Sequence, residues 1–236
     1  SVQLPPMLLA VTTYHWRVRG TNICGPGTSS ATSTFTTRLA PGTCGVGQEI
    51  QTGFSDNMEN GVNGWTTDPV SGTTWTLSNA RPSSGSFAWL AVDVVTASDQ
   101  RLISPVINVP ATGNAPTLRF RHDVSMEPNT AASCFDGGFV EVSTNGGNSW
   151  TVLDPSTQLE DFYDGPLASG ERAWCGTQPY TTASFDMGAF AGQSVRLRLR
   201  AITDTSVGSV PHGWYVDDVR IETCDISDTF FKNGFE

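Results

Sequence analysis

A chain of 236 residues is long enough for one large domain or two small ones, each with a real core. With 23 acidic and 13 basic residues its net charge is -10, which disfavours nucleic-acid binding, since that calls for a basic surface. Only 15% of residues are charged, while 24 are glycine and 14 are proline, a mixture suited to short strands and turns rather than helices.

The opening run Ser1-Val2-Gln3-Leu4-Pro5-Pro6 lacks the charged start and apolar stretch of a signal peptide. No apolar run in the chain is long enough to span a bilayer. An exported protein would therefore carry its signal upstream, and this chain would begin inside something larger. Tyr14 to Arg19 alternates apolar and polar residues, as a half-buried strand does. Thr21 to Gly27 is turn chemistry, and Ser33 to Thr37 is a second β-prone segment. Two or three strands do not make a stable sandwich alone. Residues 1–38 are thus expected to be a partial β unit, and 39–48, with Pro41 and Gly42, a linker.

A second unit is expected over 49–225. Its strands follow from alternation: Leu118 to His122, Phe139 to Ser143, Trp150 to Leu153, Ser194 to Arg200 and Trp214 to Ile221. Asn145-Gly146-Gly147-Asn148 predicts a hairpin turn. In Ser194 to Arg200, Val195, Leu197 and Leu199 face in and Arg196, Arg198 and Arg200 face out. No stretch has a 3.6-residue period, so the expectation is an all-β antiparallel sandwich. Asp154 to Tyr180 is a long polar segment, expected to be a functional or tethered loop. Residues 226–236 form a tail.

Five cysteines, Cys24, Cys44, Cys134, Cys175 and Cys224, contain no C-x-x-C pair, so disulfides fit better than zinc or redox sites and imply an oxidising compartment. A Cys134–Cys175 bridge would staple the long loop, and a Cys44–Cys224 bridge would join the first and last strands of the unit. The sequence leaves the competing pairings open. Cys24 is the odd thiol, either deprived of a partner or buried.

Leu8, Thr12, Tyr14, Trp16, Val18, Asn22, Gly25, Gly27 and Ser30 resemble the C-terminal half of a fibronectin type III module, with Tyr14 as its tyrosine-corner residue. A longer resemblance runs in order through the second unit. Its blocks are Phe54 to Gly61 with Gly64-Trp65, Leu102 to Ile107, Leu118 to His122 with Glu127, Asp136 to Ser143 with Gly146-Gly147 and Trp150, Ala191 to Arg198, Thr203-Asp204, and Gly213 to Val219. They resemble the MAM-like jelly-roll domains of secreted bacterial proteases of the immune inhibitor A type. That resemblance implies a jelly roll, an extracellular location and an accessory role. Asp228 to Glu236 is similar to a short C-terminal motif of secreted bacterial proteins.

Catalytic motifs are missing: there is no G-x-S-x-G elbow and no H-E-x-x-H zinc site. Of His15, His122 and His212, none has a serine context, and His122, on the inward side of its strand, reads as a core histidine. Asp136, Glu141, Glu160, Asp161 and Asp164 offer carboxylates, but nothing sets two of them at a glycosidase separation. No catalytic residue is assigned.

Calcium, which takes hard oxygen ligands, is the favoured cofactor in a structural role. Jelly rolls of this resemblance hold it near the first and last strands, where Glu59 and the Asp217-Asp218 doublet lie. Adjacent strand residues point to opposite faces, so one of the doublet is expected to turn inward and need compensation. Asp56, Asp93 and Asp204 are further candidates, and the competing expectation is an Asp bonded to backbone N–H groups. Arg119 and Arg121 would form a basic stripe with Arg196, Arg198 and Arg200 if their strands were neighbours. Trp65, Trp75, Trp89, Trp150 and Trp174 could give a sugar-stacking platform or simply pack the core.

The expected function is a non-catalytic accessory domain of a secreted bacterial hydrolase, a protease by the resemblance, with the parent's other domains as partners and an extracellular protein or glycan as ligand. The alternative is a carbohydrate-binding module. Exposed aromatics in a row would favour sugar, and buried tryptophans the accessory role.

Overall fold

The alternation of small apolar runs resolves into two facing antiparallel sheets in a computed structural model that describes residues 8, 12–37, 39–130 and 132–226. The tail motif at 228–236 lies outside the described residues. In one sheet Val195, Leu197 and Leu199 of Ser194–Thr203 point inward and are buried. Across the ladders Leu199 faces Val140 on one side and Leu102 on the other, so a row of branched side chains crosses three strands. This sheet runs Thr151–Val152, Gly137–Ser143, Ser194–Thr203, Ser98–Ile103, Thr66–Thr67, with Ile107–Asn108 also pairing with Ser194–Thr203. The Asn145 to Asn148 turn joins the first two of these strands, with Gly146 and Gly147 at φ 76° and 101°.

The second sheet runs Gln158–Glu160, Gly176–Asp186, Asn114–Met126, Gly213–Ile226, Ala88–Val92, Thr76–Ser78. Its inner row is Phe185, Leu118, Ile221 and Phe54, each directly opposite the next. Gly213–Ile226 is its spine. One edge pairs with Asn114–Met126; the other pairs first with Ala88–Val92 and then with Gln48–Asp56. The core between the sheets holds Trp75, Trp174, Trp214, Phe120 and Phe185, all essentially inaccessible. The two sheets touch closely where Trp214 lies on Gly138: a Cβ added there would sit 2.3 Å from the indole ring.

Two disulfides tie the unit. Cys44–Cys224 has its Cα atoms 5.4 Å apart across a sequence separation of 180, and Cys134–Cys175 has 5.8 Å across 41. In the chain-entropy picture the larger loop contributes about 5 kcal/mol by restricting the unfolded chain. Cys24 is a free, exposed thiol, so of its two sequence expectations burial does not hold.

The segment 154–180 is less of a loop than its composition suggests. It contains the short strands Gln158–Glu160, Gly165–Pro166 and Arg172–Ala173, and Gly176–Asp186 starts within it. Its Thr, Gln and Pro residues carry no apolar alternation at 176–182 because those positions are only partly covered. Ahead of the sandwich, Thr13–Trp16 pairs with Ser33–Thr36 and Arg19–Asn22 with Gly25–Ser29. These strands are largely exposed, and Tyr14 stacks on Phe35 at 5.6 Å. Gly42, at φ 71°, lies against the Arg119 guanidinium, so the linker touches the sheet there.

Replacing Gly138 by Ala forces a methyl into a rigid indole. The expected cost is about 1–3 kcal/mol, or a fall in Tm of several degrees, read by thermal denaturation. Ala at Gly146, which meets no atom within 4 Å, is expected to cost only about 1 kcal/mol, from its positive φ.

Candidate carboxylate sites

Carboxylates gather at strand ends, and each gathering has a different chemistry. At the first and last strands of the sandwich, Asp56 is fixed by its own turn: Oδ1 accepts the Met58 N–H (2.9 Å), and Oδ2 accepts Asn63 Nδ2 (2.9 Å) and Trp65 Nε1 (3.0 Å). Glu59 Oε1 accepts the N–H groups of Ser86 (2.8 Å) and Phe87 (2.9 Å). Buried Asp217 accepts Ser83 and Ser84 N–H through Oδ2 (2.8 and 3.0 Å), and Asp218 Oδ1 accepts the Ser84 hydroxyl (2.9 Å). Burial, partly offset by these N–H bonds, raises the Asp217 carboxyl above its ordinary range. The structure thus brings Glu59, Asp217 and Asp218 to one loop, 83–87. The doublet does not split between opposite faces as strict alternation requires. A bulge at Asp218 (φ 50°) inserts an extra residue opposite Asn114–Met126, and both side chains reach the same loop. Asp56 and Asp218 also line a surface pocket of about 320 Å³ with Asn57, Asn60 and Asn63.

At the other end lies a denser group. Asp93 follows Ala88–Val92, Glu127 follows Asn114–Met126, Asp136 precedes Gly137–Ser143 and Asp204 follows Ser194–Thr203. Two come from each sheet. Glu127, Asp136 and Asp204 each place a carboxylate oxygen within 4.8 Å of the others. Asp93 and Asp136 are 1% and 0% exposed, and Asp93 Oδ1 and Asp136 Oδ2 are buried without a hydrogen-bond partner. Asp136 Oδ1 accepts the Asp204 N–H (2.6 Å), Glu127 Oε2 accepts the Ser206 hydroxyl (3.0 Å), and Asp204 Oδ1 accepts the Ser206 N–H (2.7 Å). Burial, and then the facing Asp93 carboxyl, push Asp136 up to about 8. Burial likewise raises Asp93. Of the sequence candidates for calcium, Asp93 and Asp204 belong here, and the structure adds Glu127 and Asp136 to them.

The histidine with a carboxylate partner is His122. It is fully buried, and its Nδ1 accepts from Trp214 Nε1 (3.2 Å), since an indole N–H only donates. Nε2 therefore carries the proton and donates to Asp161 Oδ2 (2.6 Å). A triad histidine needs its second nitrogen open to a nucleophile. Here that nitrogen is occupied by Trp214, and Trp174 packs on the ring at 4.6 Å. His212 meets Arg81 at 3.5 Å. The remaining carboxylates are individually engaged: Glu160 with Ser184, Asp164 with the Cys175 N–H, and Glu141 with Arg198.

The basic stripe does not form, because Arg119 and Arg121 sit in one sheet and Arg196, Arg198 and Arg200 in the other. Arg198 is also buried, between Glu141 (2.5 Å) and the Trp150 ring (4.5 Å). Asp99 receives both Arg200 (2.9 Å to each oxygen) and Arg101 (2.9 Å). Trp65, Trp75, Trp89 and Trp174 are core residues and present no platform.

No family model matches the chain. Its curated relatives carry protease names. It is 24% identical over 198 residues to Bacillopeptidase F of Bacillus subtilis strain 168, covering 80% of this chain and 12% of that protein. It is 33% identical over 138 residues to the pre-pro-metalloprotease PrtV of Vibrio cholerae serotype O1, covering 56% of this chain and 13% of that one. The chain thus spans only about an eighth of the length of these relatives. Among solved structures, the K3 cleaved adhesin domain of Lys-gingipain from Porphyromonas gingivalis superposes with a TM-score of 0.45 at 18% identity, over 74% of this chain and 99% of that one. The C-terminal family 22 carbohydrate-binding module of Clostridium thermocellum Xyn10B gives 0.39 at 12%, over 75% and 96%.

Burial pushes the Asp99 carboxyl up, and its bonds to Arg200 and Arg101 outweigh burial, leaving it below the ordinary value of 3.8. Its stabilisation is therefore complete at neutral pH and is lost as pH falls through the folded value. Asp99→Asn is expected to cost about 1–3 kcal/mol in urea denaturation at pH 7. The difference between variant and parent should shrink toward zero on acidification below the ordinary carboxylate value. A constant difference across that range would contradict this assignment.

Proposed function

We propose that this chain is a non-catalytic accessory region of a secreted bacterial protease, built on a MAM-like jelly roll over 49–225 with part of a fibronectin type III-like unit ahead of it. The observation that carries the reading is the pattern of similarity. Two proteases, one of them named a metalloprotease, share with this chain a stretch that is only an eighth of their length. A metalloprotease needs a metal-binding catalytic motif, and no H-E-x-x-H occurs here. The shared stretch is then a module and not the hydrolytic machinery. The enclosed His122–Asp161 pair supports the same reading, because its free nitrogen is spent on Trp214.

Two disulfides support an oxidising, extracellular setting. No helix among the described residues is long and apolar enough to cross a membrane. The module's partners are the parent's own domains and an extracellular protein or glycan. Burial of four of the five candidate platform tryptophans favours protein contact over sugar stacking.

The purified 236-residue chain is expected to release no peptides from casein and no reducing sugar from polysaccharides, and to run unretarded in affinity electrophoresis through glycan-loaded gels. Turnover that disappears on substitution of a residue in this chain would overturn the accessory reading. Retardation lost in Trp150→Ala would replace it with the carbohydrate-binding one.

A further inference from the structure

We propose that Asp93, Glu127, Asp136 and Asp204 form a calcium site that clamps the two sheets together at the end of the sandwich remote from Glu59 and Asp217. The inference is independent of the accessory reading.

Four strands bring the acids together. Ala88–Val92 and Asn114–Met126 belong to one sheet, Gly137–Ser143 and Ser194–Thr203 to the other, and each acid sits immediately outside its strand. A buried carboxylate oxygen without a partner is costly, and this site holds two of them, Asp93 Oδ1 and Asp136 Oδ2. Both belong to essentially inaccessible carboxyls that no N–H or O–H reaches at these atoms, and a cation would satisfy both at once. Donors already present do not fill the need: Ser209 approaches the Asp93 carboxyl, the Asp204 N–H takes Asp136 Oδ1, and Ser206 and the Val207 N–H take Glu127 Oε2, yet Asp93 Oδ1 and Asp136 Oδ2 keep no partner.

The donor set decides the ion. All four side chains offer hard oxygens, with no imidazole or thiolate, which suits Ca²⁺ or Mg²⁺ rather than zinc or copper. Oxygens of Glu127, Asp136 and Asp204 all lie within 4.8 Å of one another, close enough to share one cation. Mg²⁺ demands near-ideal octahedral geometry and resists giving up water, which a set of protein carboxylates asks it to do. Carboxylates from four separate strand ends also give the irregular geometry that Ca²⁺ accepts. The arrangement would work as a staple. It couples segments far apart in sequence, and it removes the mutual repulsion that otherwise accumulates where two acidic strand ends from each sheet meet.

The test is the full chain, stripped with EGTA and titrated with CaCl₂ while Tm and binding heat are followed. Saturating Ca²⁺ is expected to raise Tm by about 5–10 °C, with one site assigned to this cluster and a much smaller rise at equal Mg²⁺. Asp136→Asn keeps shape and removes a carboxylate ligand. It should leave the calcium-free Tm unchanged or higher while weakening Ca²⁺ binding by at least about tenfold. Asp204→Asn, at a partly exposed position, should weaken binding in the same direction, so the reading does not hang on one variant. Glu59→Gln should leave the response intact. The proposal is overturned if Ca²⁺ changes neither Tm nor heat, or if the response survives Asp136→Asn and Asp204→Asn. A response lost only in Glu59→Gln overturns it as well, and places calcium at the 83–87 loop.

Discussion

The structure depends on the strand Gly213–Ile226, the last of the described strands, which lies in the middle of a sheet. Its two edges pair with Asn114–Met126, Ala88–Val92 and Gln48–Asp56, so none of those three is complete until the C-terminal segment arrives. Trp214 reaches across the core to the bare backbone of Gly138 in the opposite sheet. Asp217 holds the 83–87 loop, and Cys224 closes the unit onto Cys44. Contacts of such sequence separation cost loop entropy before they return any stability. The long disulfide loop offsets part of that cost by restricting the unfolded chain.

The second constraint is charge. An acidic chain must dispose of its carboxylates without burying bare charge, and this one uses three means. Glu59, Asp56 and Asp217 cap backbone N–H groups at loop 83–87 and at the turn after Gln48–Asp56. Asp99 and Glu141 gather arginines on the face of the six-stranded sheet turned away from the core. The Asp93, Glu127, Asp136 and Asp204 group has no basic partner among the described ion pairs and keeps two oxygens unsatisfied. Among the described residues one further carboxylate oxygen, Glu171 Oε2, is buried without a hydrogen-bond partner; this group is set apart by holding two such oxygens.

Much of the fold was legible in the sequence, for a physical reason. Val195, Leu197 and Leu199 alternate because one face of their strand meets the core, and the Asn145 to Asn148 turn needs residues that accept positive φ. Strands without alternation were not legible. Gly176–Asp186 is covered on only part of its length, and Gln48–Asp56 is mostly exposed before Asp56. Local pattern also misjudged Asp217-Asp218, where a bulge defeats strict alternation, and the arginine stripe, which required knowing which strands are neighbours. The carboxylate end group shows the same limit. Each acid abuts a strand, a visible signal, but only the topology shows that all four ends coincide. Asp93 and Asp204 were chosen from the sequence, whereas Glu127 and Asp136 needed the strand directions.

Through its strand pairings and the contact of Trp214 with Gly138, Gly213–Ile226 holds both sheets as one cooperative unit. Native-state hydrogen exchange resolved by residue measures this directly. The amides of Gly213–Ile226 that pair with Asn114–Met126 should open only with global unfolding, together with those of Ser194–Thr203 in the opposite sheet. The exposed Thr13–Trp16 and Ser33–Thr36 ladder should exchange at much lower free energy. Sub-global opening of Gly213–Ile226 while Ser194–Thr203 stays protected would contradict it.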